Sequence, residues 1–94
     1  MTNRFEPGDI VRHFKRETLG EEELAAGVYL YEIVGAATHT ETREPLMVYR
    51  ALYGDGQLYA RPLEMVLGEV DREKYPYIKQ KYRFEKTDER PAAE

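Results

Sequence analysis

The chain contains no cysteine and no serine. The first absence excludes disulfides, thiolate zinc sites and cysteine nucleophiles; the second excludes hydrolysis through a serine nucleophile. No apolar run approaches the roughly 20 residues a membrane helix needs, and the opening MTNRFEPGD lacks the apolar stretch of a signal peptide. Those two gaps lead to the expectation of a cytoplasmic protein with no membrane partner, although missing cysteine does not by itself assign a compartment. Also missing are a phosphate-binding glycine loop, a nucleophile elbow and a histidine pair at zincin spacing. Nothing announces an enzyme, and no cofactor is expected. A threonine, tyrosine or carboxylate mechanism stays open without support.

What is present suits an ordinary globular chain. The 94 residues are 41% hydrophobic and 34% charged, enough for one modest core. The expected organisation is a single β-rich domain over residues 1–84 and a flexible tail over 85–94. A net charge of −4 opposes broad binding to nucleic-acid phosphates. The charges are unevenly spread: residues 17–44 hold seven acids and one base, whereas residues 71–86 hold six bases and three acids. The second segment offers a local basic face for nucleic acid, but a solvated surface is the simpler reading.

The organising stretch is Thr38 to Pro62, read as one long hairpin. Val48, Tyr49, Tyr53 and Tyr59 make its arms strand-like, and Asp55-Gly56 supplies the residues of a type I′ turn. A two-residue loop there pairs Tyr53 with Leu58 and Ala51 with Ala60. Met47, Tyr49 and Ala51 then share one face, while Arg50 and Arg61 meet on the other beside Tyr59. A three-residue loop flips the parity and turns Tyr49 toward Arg61. The first register is the expected one.

The remaining chain is read around this hairpin. Ile10 to Phe14 is an edge or strongly bent strand after the Pro7-Gly8-Asp9 turn. Glu21 to Ala26 is one or two helical turns, with acids at its start and Gly27 as its stop. Val28 to Ala37 is a central strand bending at Gly35, where the small residues also leave room for a shallow groove. Glu64 to Val70 is a last strand or irregular edge. A helix broken at Pro76 is expected over 71–81, with Tyr75, Ile78 and Tyr82 packing back on the sheet. The expected fold is therefore mainly β: a small SH3-like barrel or a strongly bent antiparallel sheet, with a short C-terminal helical segment.

Two polar groups are candidates for chemistry. In His39-Thr40-Glu41-Thr42 an imidazole and a carboxylate stand two residues apart and share a direction on extended backbone. With His13 as a third ligand they would offer a metal only nitrogen and oxygen donors; the simpler reading is a turn whose side chains bond their own backbone. The second group is Arg50 with Arg61. Facing like charges call for compensation, from Glu41, Glu44 or Glu64 or from an external carboxylate or phosphate held by the guanidinium fork. Tyr49, Tyr53 and Tyr59 would wall such a site, though tyrosines at strand spacing are more often core.

The runs Arg12 to Lys15, Tyr31 to Val34, His39 to Thr42, Val48 to Gly54 and Arg61 to Met65, in this order, resemble the bacterial domain of unknown function 1653 family over about residues 8 to 70. Leu19 to Gly27 is long for that pattern, and Tyr59 stands where the family usually carries tryptophan. The resemblance implies a small, cytoplasmic, bacterial, SH3-like protein and no established activity. Three functions follow. The first is a binding module for a peptide, a partner protein or a small anion, using His39, Thr40, Glu41, Thr42, Tyr49, Arg50, Tyr59 and Arg61. The second is a small metal-dependent or hydrolytic enzyme using His39 and Glu41, with His13. The third is nucleic-acid binding through residues 71–86.

Overall fold

The computed structural model describes residues 5–91. Five antiparallel strands form one sheet: β1 (Ile10–His13), β2 (Leu30–Thr38), β3 (Pro45–Ala51), β4 (Leu58–Pro62) and β5 (Phe84–Lys86), in the spatial order β4-β3-β2-β1-β5. Two short helices accompany them, α1 (Glu21–Ala25) and α2 (Leu63–Val66), and a 3-10 turn runs over Phe14–Thr18. The fold is mainly β, and the sheet is open rather than a closed barrel.

The sheet curls tightly. Strands lie about 4.8 Å apart, so β3 and β5 would stand roughly 14 Å apart on a flat sheet. Yet the rings of Tyr49 and Phe84 meet at 5.5 Å, and those of Tyr31 and Tyr59 at 6.3 Å. Only a concave face lets side chains two and three strands apart touch. That face holds the main core of Val11, Tyr31, Ile33, Met47, Tyr49, Ala51 and Phe84, covered by Val66 of α2. Phe14, Val70 and Ile78 make a second, smaller cluster.

Several expectations hold. The central strand is β2, third of five. It bends where anticipated, through a register shift between Ile33 and Gly35 that leaves Val34 as an extra residue and increases local twist. The α1 turn starts at Gly20 and stops before Gly27, whose φ of 78° is the left-handed stop.

Others are corrected. β1 is not an edge, because β5 pairs with it through Val11↔Lys86, Arg12↔Glu85 and His13↔Phe84. Residues 85 and 86, expected to open a flexible tail, belong to that strand; residues 92–94 of the tail lie outside the described residues. Of the two readings of Glu64 to Val70, the strand does not form: the segment runs through α2 and is irregular after it, with a single bridge, Glu69↔Tyr82. The helix expected over 71–81 is a set of turns. Polar staples hold them: Arg72 donates to the carbonyls of Ile78 and Gln80, and the buried Gln80 amide donates to the carbonyls of Arg12 and Tyr82.

The hairpin itself forms, in another register. Tyr49 stands opposite Tyr59, Met47 opposite Arg61 and Arg50 opposite Leu58. The Ala51 amide donates to the Gln57 carbonyl, so residues 52–56 form the loop. Positive φ falls at Gly54 (58°) and Gly56 (68°), not at Asp55, and the type I′ turn is not made. An odd shift in register exchanges faces: Tyr49, Tyr59 and Arg61 share the concave side, while Arg50 looks outward.

Candidate functional site

Start with the expected site residues. His39 closes the turn between β2 and β3. Its Nδ1 accepts the amides of Glu41 (3.1 Å) and Thr42 (3.2 Å), its own amide donates to the Glu44 carbonyl, and the Thr42 hydroxyl accepts the Glu44 amide. A nitrogen engaged this way is unavailable to a metal or as a base. Thr40 and Glu41 are exposed in the same turn. His13 lies beside Tyr29, at the other end of β2, and Tyr29 is ten residues from His39, roughly 33 Å of extended strand at 3.3 Å per residue. The set His13, His39 and Glu41 is therefore not assembled, and among the described residues no group of three or more His, Cys, Asp or Glu is placed to hold a metal. Arg50 is exposed on the convex face opposite Glu32. It does not join Arg61.

What the fold does assemble lies at the mouth of the concave face. A cleft of about 310 Å³ is lined by His13, Phe14, Lys15, Arg61, Asp71, Lys74, Tyr75 and Arg83. Arg61 comes from the edge strand β4, and Arg83 directly precedes the opposite edge strand β5. The curl that brings Tyr31 onto Tyr59 thus brings an arginine from each open edge to one place. Behind Arg61 the wall is aromatic: Tyr49 and Tyr59 rings are 5.7 Å apart, Tyr49 packs edge-on to Tyr31 at 5.2 Å, and the Tyr31 and Tyr53 hydroxyls hydrogen-bond at 2.8 Å. Phe14 and Tyr75 pack edge-on at 4.8 Å beside the cleft.

The electrostatics are lopsided. Four cations line the cleft against the single carboxylate of Asp71, whose Oδ1 is already accepting the amides of Glu73 and Lys74. Among the described residues the Arg83 side chain donates only to the neutral carbonyls of Glu69 and Met65. Among the described residues, Lys15, Arg61, Lys74 and Arg83 form no ion pair. His13 reports the local field: burial first, then the charges of Lys15, Arg61 and Arg83, lower its pKa from 6.5 to about 4. Its Nδ1 accepts the Lys15 amide at 3.1 Å, so the ring is neutral with its proton on Nε2. Burial raises Tyr49, and the Arg61 charge partly offsets that rise; burial and the bond to Tyr53 raise Tyr31. Both phenols stay neutral.

A larger cavity of about 620 Å³ is of a different kind. Its arginines are matched by carboxylates, and its three carboxylates are engaged within the chain. Arg16 and Arg12 pair with Glu89, Arg12 also with Glu85, and the Glu17 carboxylate accepts the amides of Lys79 and Gln80. It binds the chain's own segments together. The bases of 71–86 do not share one surface: Arg72 is spent on carbonyls, Lys86 pairs with Asp9 at 3.4 Å, Lys79 and Lys81 line this other cavity, and only Lys74 and Arg83 reach the cleft.

Of the residues singled out from the sequence, Arg61 and His13 are in the cleft, and Tyr49 and Tyr59 stand behind Arg61. Lys15, Lys74, Tyr75 and Arg83 were missed as site residues. The basic excess of 71–86 contained two of them, but nothing in one-dimensional spacing says which bases stay unpaired. The model of a family described as protein of unknown function (DUF1653) matches residues 9–86. The match spans β1 through β5, and the chain belongs to that family. No curated protein and no solved structure matched in the other two comparisons.

Proposed function

We propose that this family member is a binding module for an anionic group, a carboxylate or phosphate carried by a peptide, a partner protein or a small molecule. The setting implied by its sequence is the bacterial cytoplasm. One observation carries the reading: Lys15, Arg61, Lys74 and Arg83 converge on one cleft without ion-pair partners among the described residues, in a protein whose net charge is −4. Four neighbouring like charges are unfavourable unless an anion relieves them. Guanidinium groups from two directions suit the planar oxygens of carboxylate or phosphate, and the neutral His13 Nε2–H adds a donor that carries no charge.

The test is calorimetric titration with pyrophosphate and with citrate at low salt. Arg61→Ala and Arg83→Ala each weaken binding at least tenfold, and Arg50→Ala leaves it within twofold, because Arg50 faces away from the cleft. Affinity also drops with added salt, as expected for a partly exposed site. Equal loss in Arg50→Ala and Arg61→Ala, or no binding to either anion, contradicts the reading.

A further inference from the structure

The cleft opens onto a strand edge that has no partner. β4 is the last strand on its side of the sheet. The Ala51 amide bonds the Gln57 carbonyl in the same register that pairs Tyr49 with Tyr59 and Met47 with Arg61. Those alternate residues therefore direct their amides and carbonyls to β3, and Leu58, Ala60 and Pro62 direct theirs outward. Pro62, which has no N–H, sits where an outward donor would otherwise be, as expected of an edge. Among the described residues no backbone hydrogen bond from outside the ladder reaches Leu58 or Ala60. Leu58 is 57% and Tyr59 40% exposed.

Exposed edges are usually blunted by charge, bulges or a covering segment. Here the only charge on the strand is Arg61, and its side chain points into the cleft. Its place on the outer side of the ladder is a non-hydrogen-bonded one, where facing side chains approach most closely, with Cα atoms about 4.5 Å apart.

We propose that β4 is completed by an extended acidic polypeptide segment, which adds a sixth antiparallel strand and places a carboxylate against Arg61 in the cleft. The inference rests on the anion-binding reading of the cleft and names its partner. Backbone pairing with Leu58 and Ala60 supplies affinity, and alternation supplies specificity. On the concave side the partner residue facing Arg61 is Asp or Glu. Its two neighbours face Ala60 and Pro62 on the convex side, where Leu58 and Val48 make an apolar surface, so they are apolar.

The experiment uses two capped hexapeptides, Thr-Val-Glu-Val-Thr-Val and the same sequence with Lys in place of Glu, titrated into the isotopically labelled full chain. The acidic peptide shifts the Leu58 and Ala60 amides and the Arg61 Nε–H together, and the Lys peptide binds at least tenfold more weakly. Ala60→Pro abolishes binding without disturbing the β3–β4 ladder, because the lost donor points outward. Leu58→Lys, a charged edge that keeps every backbone donor, weakens it as well and serves if the proline variant does not fold. If the acidic peptide moves Arg61 but not the edge amides, and both variants bind it normally, the strand-addition proposal is overturned while the anion site stands. If neither the peptide nor pyrophosphate moves Arg61, both fall. Concentration-dependent shifts of the same edge amides without peptide would assign the edge to a second copy of the chain and overturn the peptide partner.

Discussion

His13 is held neutral by burial and by three nearby cations, and that has a thermodynamic consequence. Its folded pKa of about 4 lies below the unfolded value of 6.5. Above pH 6.5 neither state takes the proton. Below it the unfolded chain binds a proton that the folded chain refuses, so stability falls with pH until the folded pKa is reached. The loss is on the order of 2 kcal/mol after allowing for partial exposure. Denaturant melts between pH 6.5 and 4.5 should show this slope, and His13→Asn, which keeps an acceptor near the Lys15 amide, should flatten it. Glu89 works at lower pH. Burial raises it, but hydrogen bonds from Arg16 and Thr87 and the Arg16 charge outweigh burial and lower it, so its contribution is lost only as pH falls below the ordinary carboxylate range. Arg16 is the other decisive residue. Only 7% exposed, it donates to the carbonyls of Val28 and Leu24 and to the Glu89 carboxylate. Arg16→Ala removes a buried charge with three partners and should cost about 3 kcal/mol in urea unfolding; Arg16→Lys, without the fork, should recover less than half.

Among the elements, β2, α1 and the bend at Gly35 were legible because local chemistry fixes them: an apolar run broken only at Glu32, acids followed by Gly27, and small residues at a bend. The hairpin was legible as a hairpin but not in its register. Asp55-Gly56 is a strong local turn signal, yet the ladder closes at Ala51 and Gln57: both registers bury Met47, Tyr49 and Ala51, and they differ in placing Tyr59 and Arg61, not Leu58 and Ala60, on the inward face of β4, which local turn chemistry does not encode. β5 was hidden: Phe84 is one apolar residue among charges, and its strand exists only because β1 offers an edge. Residues 71–83 mimic a helix through Tyr75, Ile78 and Tyr82 but are held by Arg72 and Gln80 reaching carbonyls, a tertiary arrangement no periodicity encodes. Gly27 tests the α1 end. Its φ of 78° and the 2.6 Å that a Cβ would leave to the Pro91 ring make Gly27→Ala both strained and crowded, with an expected loss of about 2 kcal/mol and increased amide exchange at Leu24 and Ala26.

Across the whole molecule, the fold separates the residues that the sequence grouped into one site. The arginine and the tyrosines were recognisable, but an odd shift in register turned Arg61 and Tyr59 to the concave face and away from Arg50, and the long β2–β3 ladder kept the His39 turn away from His13. Curvature then brought together Arg61 and Arg83, 22 residues apart in number and on opposite edges of the sheet. An open sheet that curls without closing leaves both an unpaired strand and a gap between its edges. Lys15, Arg61, Lys74 and Arg83 line that gap.

The central claim is that the two edge arginines form one anion site. A crystal structure grown with tungstate, a phosphate-like dianion with an anomalous signal, tests it most directly. The account predicts an anomalous peak within hydrogen-bonding reach of both Arg61 and Arg83, lost in Arg61→Ala. A cleft without a peak, with tungstate bound at Arg50 or elsewhere on the convex face, would contradict it.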